Sequence, residues 1–155
     1  MRELDDPGTR SVLAIQRLQA AYGDAVTRRS WADVVALFES DATIRIDTRT
    51  REPFTLAGPD ALVAFVERSL RSFAFFELAI LNSVVELDGD ATASGRVYIS
   101  ELRHDHAGEW TQAYGLYRDR YLCRDGDWRI ASRRYSSLAR TGPPVESFPL
   151  PTDLE

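Results

Sequence analysis

The spacing of the apolar residues changes near residue 40, and this change limits the folds open to the chain. Before it, apolar residues from Val12 to Val26 recur at helical intervals, which predicts an amphipathic helix over residues 11–28. After it, residues 42–49 alternate apolar with polar, as a half-buried strand does. Helices followed by a run of strands indicate an α+β fold.

Further elements follow from local signals. Ser30 and Asp33 resemble a capping box that opens a second helix running to Phe38. Pro59 suits the first turn of a third helix. Gly89-Asp90 and Asp125-Gly126 are hairpin signals. The predicted strands are 42–49, 54–56, 74–88, 91–102, 109–124 and 128–138, with a polar hairpin tip at 103–108.

The length of 155 residues predicts one domain with room for a single small-molecule cavity. We divide the chain into a flexible lead-in (1–10), the folded domain (11–140) and a Pro-rich tail (141–155). The formal net charge of −5 argues against nucleic acid or an anionic membrane as a partner.

The residues that are missing narrow the chemistry. The chain has no Lys, which removes Schiff-base and P-loop mechanisms. Cys123 is the single cysteine, and His104 and His106 lie at a predicted hairpin tip without an evident third ligand, so we expect neither a metal nor another cofactor. The sequence has no apolar run of membrane-spanning length and no signal-peptide pattern, and we expect a cytoplasmic protein.

A series of short motifs resembles one family. These are Tyr22 upstream of the segment WADVVALF (31–38), then SDAT (40–43), GPDAL (58–62), GDAT (89–92), YRD (117–119) and DGDW (125–128). In this order they resemble the nuclear transport factor 2-like superfamily over residues 12–135, and its SnoaL-like subgroup in particular. The resemblance implies a cone-shaped, curved antiparallel sheet wrapped round three helices and enclosing an apolar pocket. The same fold serves dehydratases, isomerases, cyclases, epoxide hydrolases and non-catalytic binders.

One catalytic pattern of these relatives is absent. Scytalone dehydratase and hexachlorocyclohexane dehydrochlorinase use an Asp–His dyad, whose positions here match Thr27 and Leu78. Because Thr cannot orient an imidazole and Leu cannot accept a proton, the dyad mechanism is rejected.

A second pattern, that of steroid Δ-isomerases, is partly present. Its oxyanion-binding Tyr and Asp match Tyr22 and Asp119, whereas its base aligns at Ile46 with Asp47 one residue away. A shift of one residue turns a strand side chain to the other face, so Asp47 serves only if the strand is re-aimed there.

For each of these side chains a structural role is the alternative. Asp119 shares a strand face with Tyr117 and Tyr121, surroundings that disfavour a charged carboxylate and suit a proton donor or base. Alternatively, Asp119 pairs with Arg134 or another Arg of the neighbouring strand. Tyr22 is either a hydrogen-bond donor to a carbonyl or a core aromatic.

The function implied by the resemblance is cofactor-independent acid–base chemistry. We expect an isomerase, cyclase or dehydratase of secondary metabolism, of the polyketide-cyclase type, acting next to a carbonyl of an apolar cyclic or polyketide-like molecule. The rivals are a non-catalytic small-molecule binder and a small accessory subunit of a larger oxygenase. A homodimer is expected. Asp119, Tyr22 and Asp47 are the catalytic candidates, and the predicted pocket residues are Tyr117, Tyr121, Leu78, Thr27, Trp31 and Phe65.

Overall fold

Three helices and a seven-stranded sheet share one apolar core in the structure, a computed structural model that describes residues 6–142 and 145–154. The helices are α1 (Pro7–Thr27), α2 (Trp31–Ala36) and α3 (Pro59–Leu70). The strands are β1 (Phe38–Asp47), β2 (Phe54–Ala57), β3 (Phe73–Leu87), β4 (Thr92–Asp105), β5 (Trp110–Arg124), β6 (Asp127–Arg140) and β7 (Glu146–Ser147). The predicted α+β class is confirmed.

The strands lie in the order β2-β1-β6-β5-β4-β3, with β7 paired to β6. The three long hairpins β3–β4, β4–β5 and β5–β6 are antiparallel, as predicted. The sheet is nevertheless mixed, because β1 runs parallel to β6, a pairing of distant segments that local periodicity does not reveal. The pairings of β3 with β4 and of β5 with β6 contain register shifts, with the extra residues in β3 and β6, and such bulges bend a strand locally.

The structure corrects the start of α1. Asp6 caps the helix through a hydrogen bond from the Thr9 amide to its carboxylate (2.9 Å), and Pro7 fits the first turn. Residues 7–10 are therefore helical, whereas the sequence predicts a lead-in there, and residues 1–5 lie outside the described residues.

The structure also corrects the end of α2. The helix stops at Ala36, and Phe38 begins β1 instead of ending the helix. Phe38 is buried, so its apolar character agrees with either element. The Ser30 hydroxyl donates to the Asp33 carboxylate (2.7 Å), and no backbone amide completes the predicted capping box.

The tail runs along the outer face of the sheet. The Phe148 amide donates to the Leu138 carbonyl beside β7, and the Asp153 carboxylate binds both Arg118 and Arg134 at 2.7 Å. The two ion pairs of Asp153 hold the tail beside β5 and β6. None of the helices in the described part of the chain has the length and apolarity needed to cross a membrane.

Candidate active site

A cavity of about 370 Å³ lies between the inner face of the sheet and helices α1 and α3. Most of its wall is apolar, formed by Val26, Ile44, Ile46, Leu62, Phe65, Val66, Leu70, Phe73, Phe76 and Leu78. The polar lining is concentrated on β4, β5 and β6 and at one end of the cavity. A cavity of this size and character suits an apolar small molecule.

The deep end of the cavity is built on a buried ion pair. Arg133 and Asp119 are direct register partners on β6 and β5, and their side chains are 2% and 0% exposed. Arg133 donates from Nε to Oδ1 (2.8 Å) and from Nη2 to Oδ2 (2.7 Å) of Asp119. Tyr121 donates a third bond to Oδ2 (3.0 Å) and itself accepts from Gln19 (2.9 Å). Three donors thus converge on the Asp119 carboxylate.

The guanidinium of Arg133 also stacks on two cavity tyrosines. Its central carbon lies 4.2 Å from the ring centroid of Tyr22 and 3.8 Å from that of Tyr117. Burial alone would lower the pKa of Arg133, but the charge and hydrogen bonds of Asp119 outweigh it and raise the pKa. Its Nη1 has no hydrogen-bond partner among the described residues. Arg133 is therefore a permanent positive charge behind the two phenols.

The tyrosines of the cavity are held as neutral phenols. Burial raises the pKa of Tyr22 and of Tyr117, and the charge of Arg133 opposes the rise only in part. Burial likewise raises the pKa of Tyr135 to about 12, with a further contribution from the charge of Glu101. At neutral pH each phenol is able to donate a hydrogen bond to a ligand oxygen.

Among the described residues, Glu101 is the one carboxylate that lines the cavity. It lies on β4, where its register partners are Leu78 on β3 and Ala113 on β5. Both bonds from Arg103 reach Oε2, one of them from Nε at 3.0 Å. Oε1 accepts no hydrogen bond from a described residue.

The other end of the cavity is its mouth. Here Thr48, Thr50 and Arg51 follow β1, and Arg140 ends β6. Since β1 and β6 are parallel, their carboxyl ends meet at this edge of the sheet. Arg140 donates to the Thr48 carbonyl (3.2 Å), and Arg51 is exposed and stacks on Phe54 with its central carbon 4.6 Å from the ring.

The model of the SnoaL-like domain family matches residues 9–134 of the chain. The protein belongs to the SnoaL-like family. The resemblance of the motifs is thereby confirmed, together with the cone-like fold of this family.

Solved structures resemble this SnoaL-like protein over most of their length. A proposed scytalone dehydratase from Novosphingobium aromaticivorans is 20% identical, with a TM-score of 0.79 over 92% of this chain and 93% of its own. A hexachlorocyclohexane dehydrochlorinase from Novosphingobium barchaimii is 18% identical, with a TM-score of 0.76 over 94% and 98%. A protein of unknown function from Mycobacterium tuberculosis is 26% identical, with a TM-score of 0.69 over 82% and 71%. No curated protein matches the sequence.

The structure places part of the predicted site of the SnoaL-like protein at the cavity. Tyr22, Tyr117, Leu78 and Phe65 line it. Asp119 lies behind Arg133 and is not part of the lining, an arrangement that fits the alternative of a structural Asp paired across the strands.

The remaining predicted residues lie outside the cavity lining. The Asp47 carboxylate accepts from the Arg49 amide (2.9 Å) at the end of β1. Tyr121 is bound to Asp119, and Trp31 packs half-buried against the core. The Thr27 hydroxyl accepts from the Leu78 amide (3.0 Å), so the two positions of the missing dyad still touch, through a structural hydrogen bond.

The sequence predictions missed Arg133, Arg103 and Tyr135 as cavity residues. Counting back from the Asp125-Gly126 turn pairs Asp119 with Ser132, because Tyr121 pairs with Ile130. One extra residue in β6, beside Ala131, shifts the partner of Asp119 to Arg133. The alternation of Arg133, Tyr135 and Ser137 in the sequence could have predicted that these three residues share one face of β6. Assigning that face to the cavity requires knowledge of the bulge.

Proposed function

We propose that this protein moves a proton next to a carbonyl group of an apolar, ring-containing molecule, without a cofactor, with Glu101 as the base and Tyr22 as the donor to the carbonyl oxygen. The observation that carries the proposal is that Glu101, whose Oε1 accepts no hydrogen bond from a described residue, lines the same cavity as buried, neutral phenols. Isomerisation, cyclisation and dehydration all begin with this step.

The position of Glu101 supports its role. Leu78, its register partner, occupies the position at which the resemblance places the catalytic His of related enzymes. Directly opposed residues on antiparallel strands have β-carbons about 5 Å apart, so a carboxylate on Glu101 reaches the region that such an imidazole would serve. In this proposal the proton acceptor lies on β4, one strand away from the β3 position of the His in the related enzymes.

The deep end of the cavity supports the role of the phenols. Tyr22 and Tyr117 meet edge to face with ring centroids 5.8 Å apart, and both rest on the guanidinium of Arg133. When Glu101 removes a proton from the carbon beside the carbonyl, the electron pair moves to the carbonyl oxygen. A hydrogen bond from Tyr22 and the positive charge of Arg133 stabilise this oxyanion. The proton then returns to another carbon or leaves with a departing hydroxyl.

Asp119 enters the proposal as a positioning residue. It binds the Nε–Nη2 edge of Arg133 and so fixes the guanidinium against the tyrosines. Asp47 has no part in the proposed step, because its carboxylate closes a turn outside the cavity.

Deuterium exchange into 2-tetralone, a bicyclic ketone, tests the proposal without knowledge of the natural substrate. NMR in D₂O would follow loss of the protons beside the carbonyl. Glu101→Gln is expected to lower the enzyme-dependent exchange about 100-fold or more, as loss of a general base does. Tyr22→Phe is expected to lower it about 100-fold through loss of one oxyanion donor.

The matched control is Glu77→Gln, which changes an exposed carboxylate on the adjacent strand β3. This variant should exchange 2-tetralone at the wild-type rate. If Glu101→Gln and Glu77→Gln behave alike, Glu101 is not the base.

A non-catalytic binder is the second candidate. It is favoured by the Thr27–Leu78 hydrogen bond, which replaces the dyad of related enzymes with a purely structural contact. Saturable binding of 2-tetralone without exchange above the buffer rate would support the binder and contradict the enzyme.

A further inference from the structure

The charges around the cavity do not cancel. Among the described residues, four guanidinium groups line it, and three carboxylates pair with them from the lining or from just behind it. The arginines are Arg51, Arg103, Arg133 and Arg140, and the acids are Glu101, Asp119 and Glu146. One positive charge is left over.

The surplus charge lies at the mouth. Along β6 the inner face carries Arg133, Tyr135, Ser137 and then Arg140, so Arg133 and Arg140 are separated by seven residues, or about 23 Å of strand. Arg133 is 2% exposed, whereas Arg51 at the mouth is exposed. The arginine at the deep end is buried and paired with Asp119, whereas the mouth carries an exposed arginine.

The two mouth arginines are weakly neutralised. Arg51 has no acidic partner among the described residues and rests on the ring of Phe54. The Nε of Arg140 lies 3.8 Å from Glu146, which is beyond hydrogen-bond distance. By contrast, Arg133 and Arg103 are each bound tightly to an acid of their own.

We propose that the ligand of this cavity is an anion, with an apolar ring system in the middle of the cavity and a carboxylate bound at the mouth by Arg51 and Arg140. The proposal rests on the proposed function for the location of the ligand and adds its charge class. The planar fork of a guanidinium matches the two oxygens of a carboxylate. The mouth and the deep end are about 23 Å apart along β6. This distance would keep the carboxylate away from the reacting carbonyl, which the tyrosines would hold at the deep end.

Paired probes of one shape test the charge. Binding of 2-naphthoate and of its neutral counterpart 2-naphthamide would be measured by tryptophan fluorescence quenching or calorimetry. We expect naphthoate to bind about fivefold more tightly, which is near the upper limit for a partly exposed ion pair. Added salt should weaken naphthoate alone, since the screening acts on the charge.

Two variants locate the effect. Arg51→Gln and Arg140→Gln should each reduce the preference for naphthoate, and the double variant should abolish it while naphthamide binds as before. Because Arg51 is exposed, its replacement should leave the fold intact. This variant therefore tests the proposal even if Arg140→Gln unfolds the protein through loss of the hydrogen bond to the Thr48 carbonyl. Arg45→Gln, an exposed arginine on β1 outside the cavity, is the control and should keep the preference.

Equal affinity for the two probes, a preference that survives in both variants, or no binding of naphthoate would overturn the proposal. These results are separate from the exchange assay. If tetralone exchange still depends on Glu101 while naphthoate shows no advantage, the charge class is wrong and the proposed function stands. If naphthoate binds through the mouth arginines but no variant changes tetralone exchange, the proposed function is wrong and the proposed charge class of the ligand stands.

Discussion

Replacing Asp119 with Asn should destabilise the fold strongly, because it leaves the buried guanidinium of Arg133 without its counter-charge. The two side chains are 2% and 0% exposed, so water cannot replace the lost partner. Breaking a buried pair by removing one member costs about 3–5 kcal/mol of the free energy of unfolding. For a chain of this size the melting temperature would fall by about 6–20 °C.

Urea unfolding followed by tryptophan fluorescence measures this effect, because the chain carries three Trp residues. The control is Asp24→Asn, which removes an exposed partner of Arg28 (side chain 63% exposed) and should leave the unfolding midpoint unchanged. Replacing both members, as Asp119→Leu with Arg133→Met, should recover much of the loss, because no charge then remains buried.

An unfolding midpoint for Asp119→Asn that matches the Asp24→Asn control would refute the argument. If that variant were fully stable and yet lost tetralone exchange, Asp119 would be a catalytic residue, as the sequence predicts. A large loss of stability together with reduced exchange in the surviving folded protein would establish the positioning role, whereas intact exchange would make Asp119 a purely structural residue.

Further predictions concern the cavity wall and the tail. Gly115→Ala should destabilise the protein by about 1–3 kcal/mol in urea unfolding, because an added β-carbon would lie 2.4 Å from the ring of Tyr135. The raised pKa of Tyr135 makes stability fall as pH rises from 10 toward 12, since the unfolded chain loses its proton first, and Tyr135→Phe should flatten that fall in an alkaline unfolding series. Thr27→Val should cost about 1–3 kcal/mol in thermal unfolding, because a buried strand amide loses its acceptor. Asp153→Asn should speed proteolysis of the tail, as followed by mass spectrometry, since two arginines lose their shared carboxylate.

The element order could be predicted from the sequence because it depends on local signals. Helical spacing places α1 and α3, and alternation with the Asp125-Gly126 turn places β5 and β6. The turn has positive φ at both residues (53° and 88°), which Asp and Gly tolerate better than most residue types. Local chemistry is sufficient at such positions.

The partner of Asp119 could not be predicted in the same way. A single extra residue in β6 changes the residue opposite Asp119, and neither a composition rule nor a turn signal locates a bulge in the interior of a strand. The parallel pairing of β1 with β6 cannot be seen in local sequence either, because the partners Asp47 and Ser136 are 89 positions apart. Arginines in a strand suggest a solvated face, and the burial of Arg133 depends on those two long-range facts together.

If the proposed function is correct, the proton acceptor approaches the ligand from a different strand than it does in the dyad enzymes. In the dyad arrangement that the resemblance implies, the proton acceptor lies on β3 and its orienting acid on α1, and here both places are occupied by Leu78 and Thr27. The acidic group that faces the cavity is Glu101, one strand further into the sheet, and the electrophilic groups lie on α1, β5 and β6. Under the proposed function, a ligand would present its acidic carbon toward β4 and its carbonyl oxygen toward the deep end, and this orientation would leave the opposite end of the ligand at the arginines of the mouth.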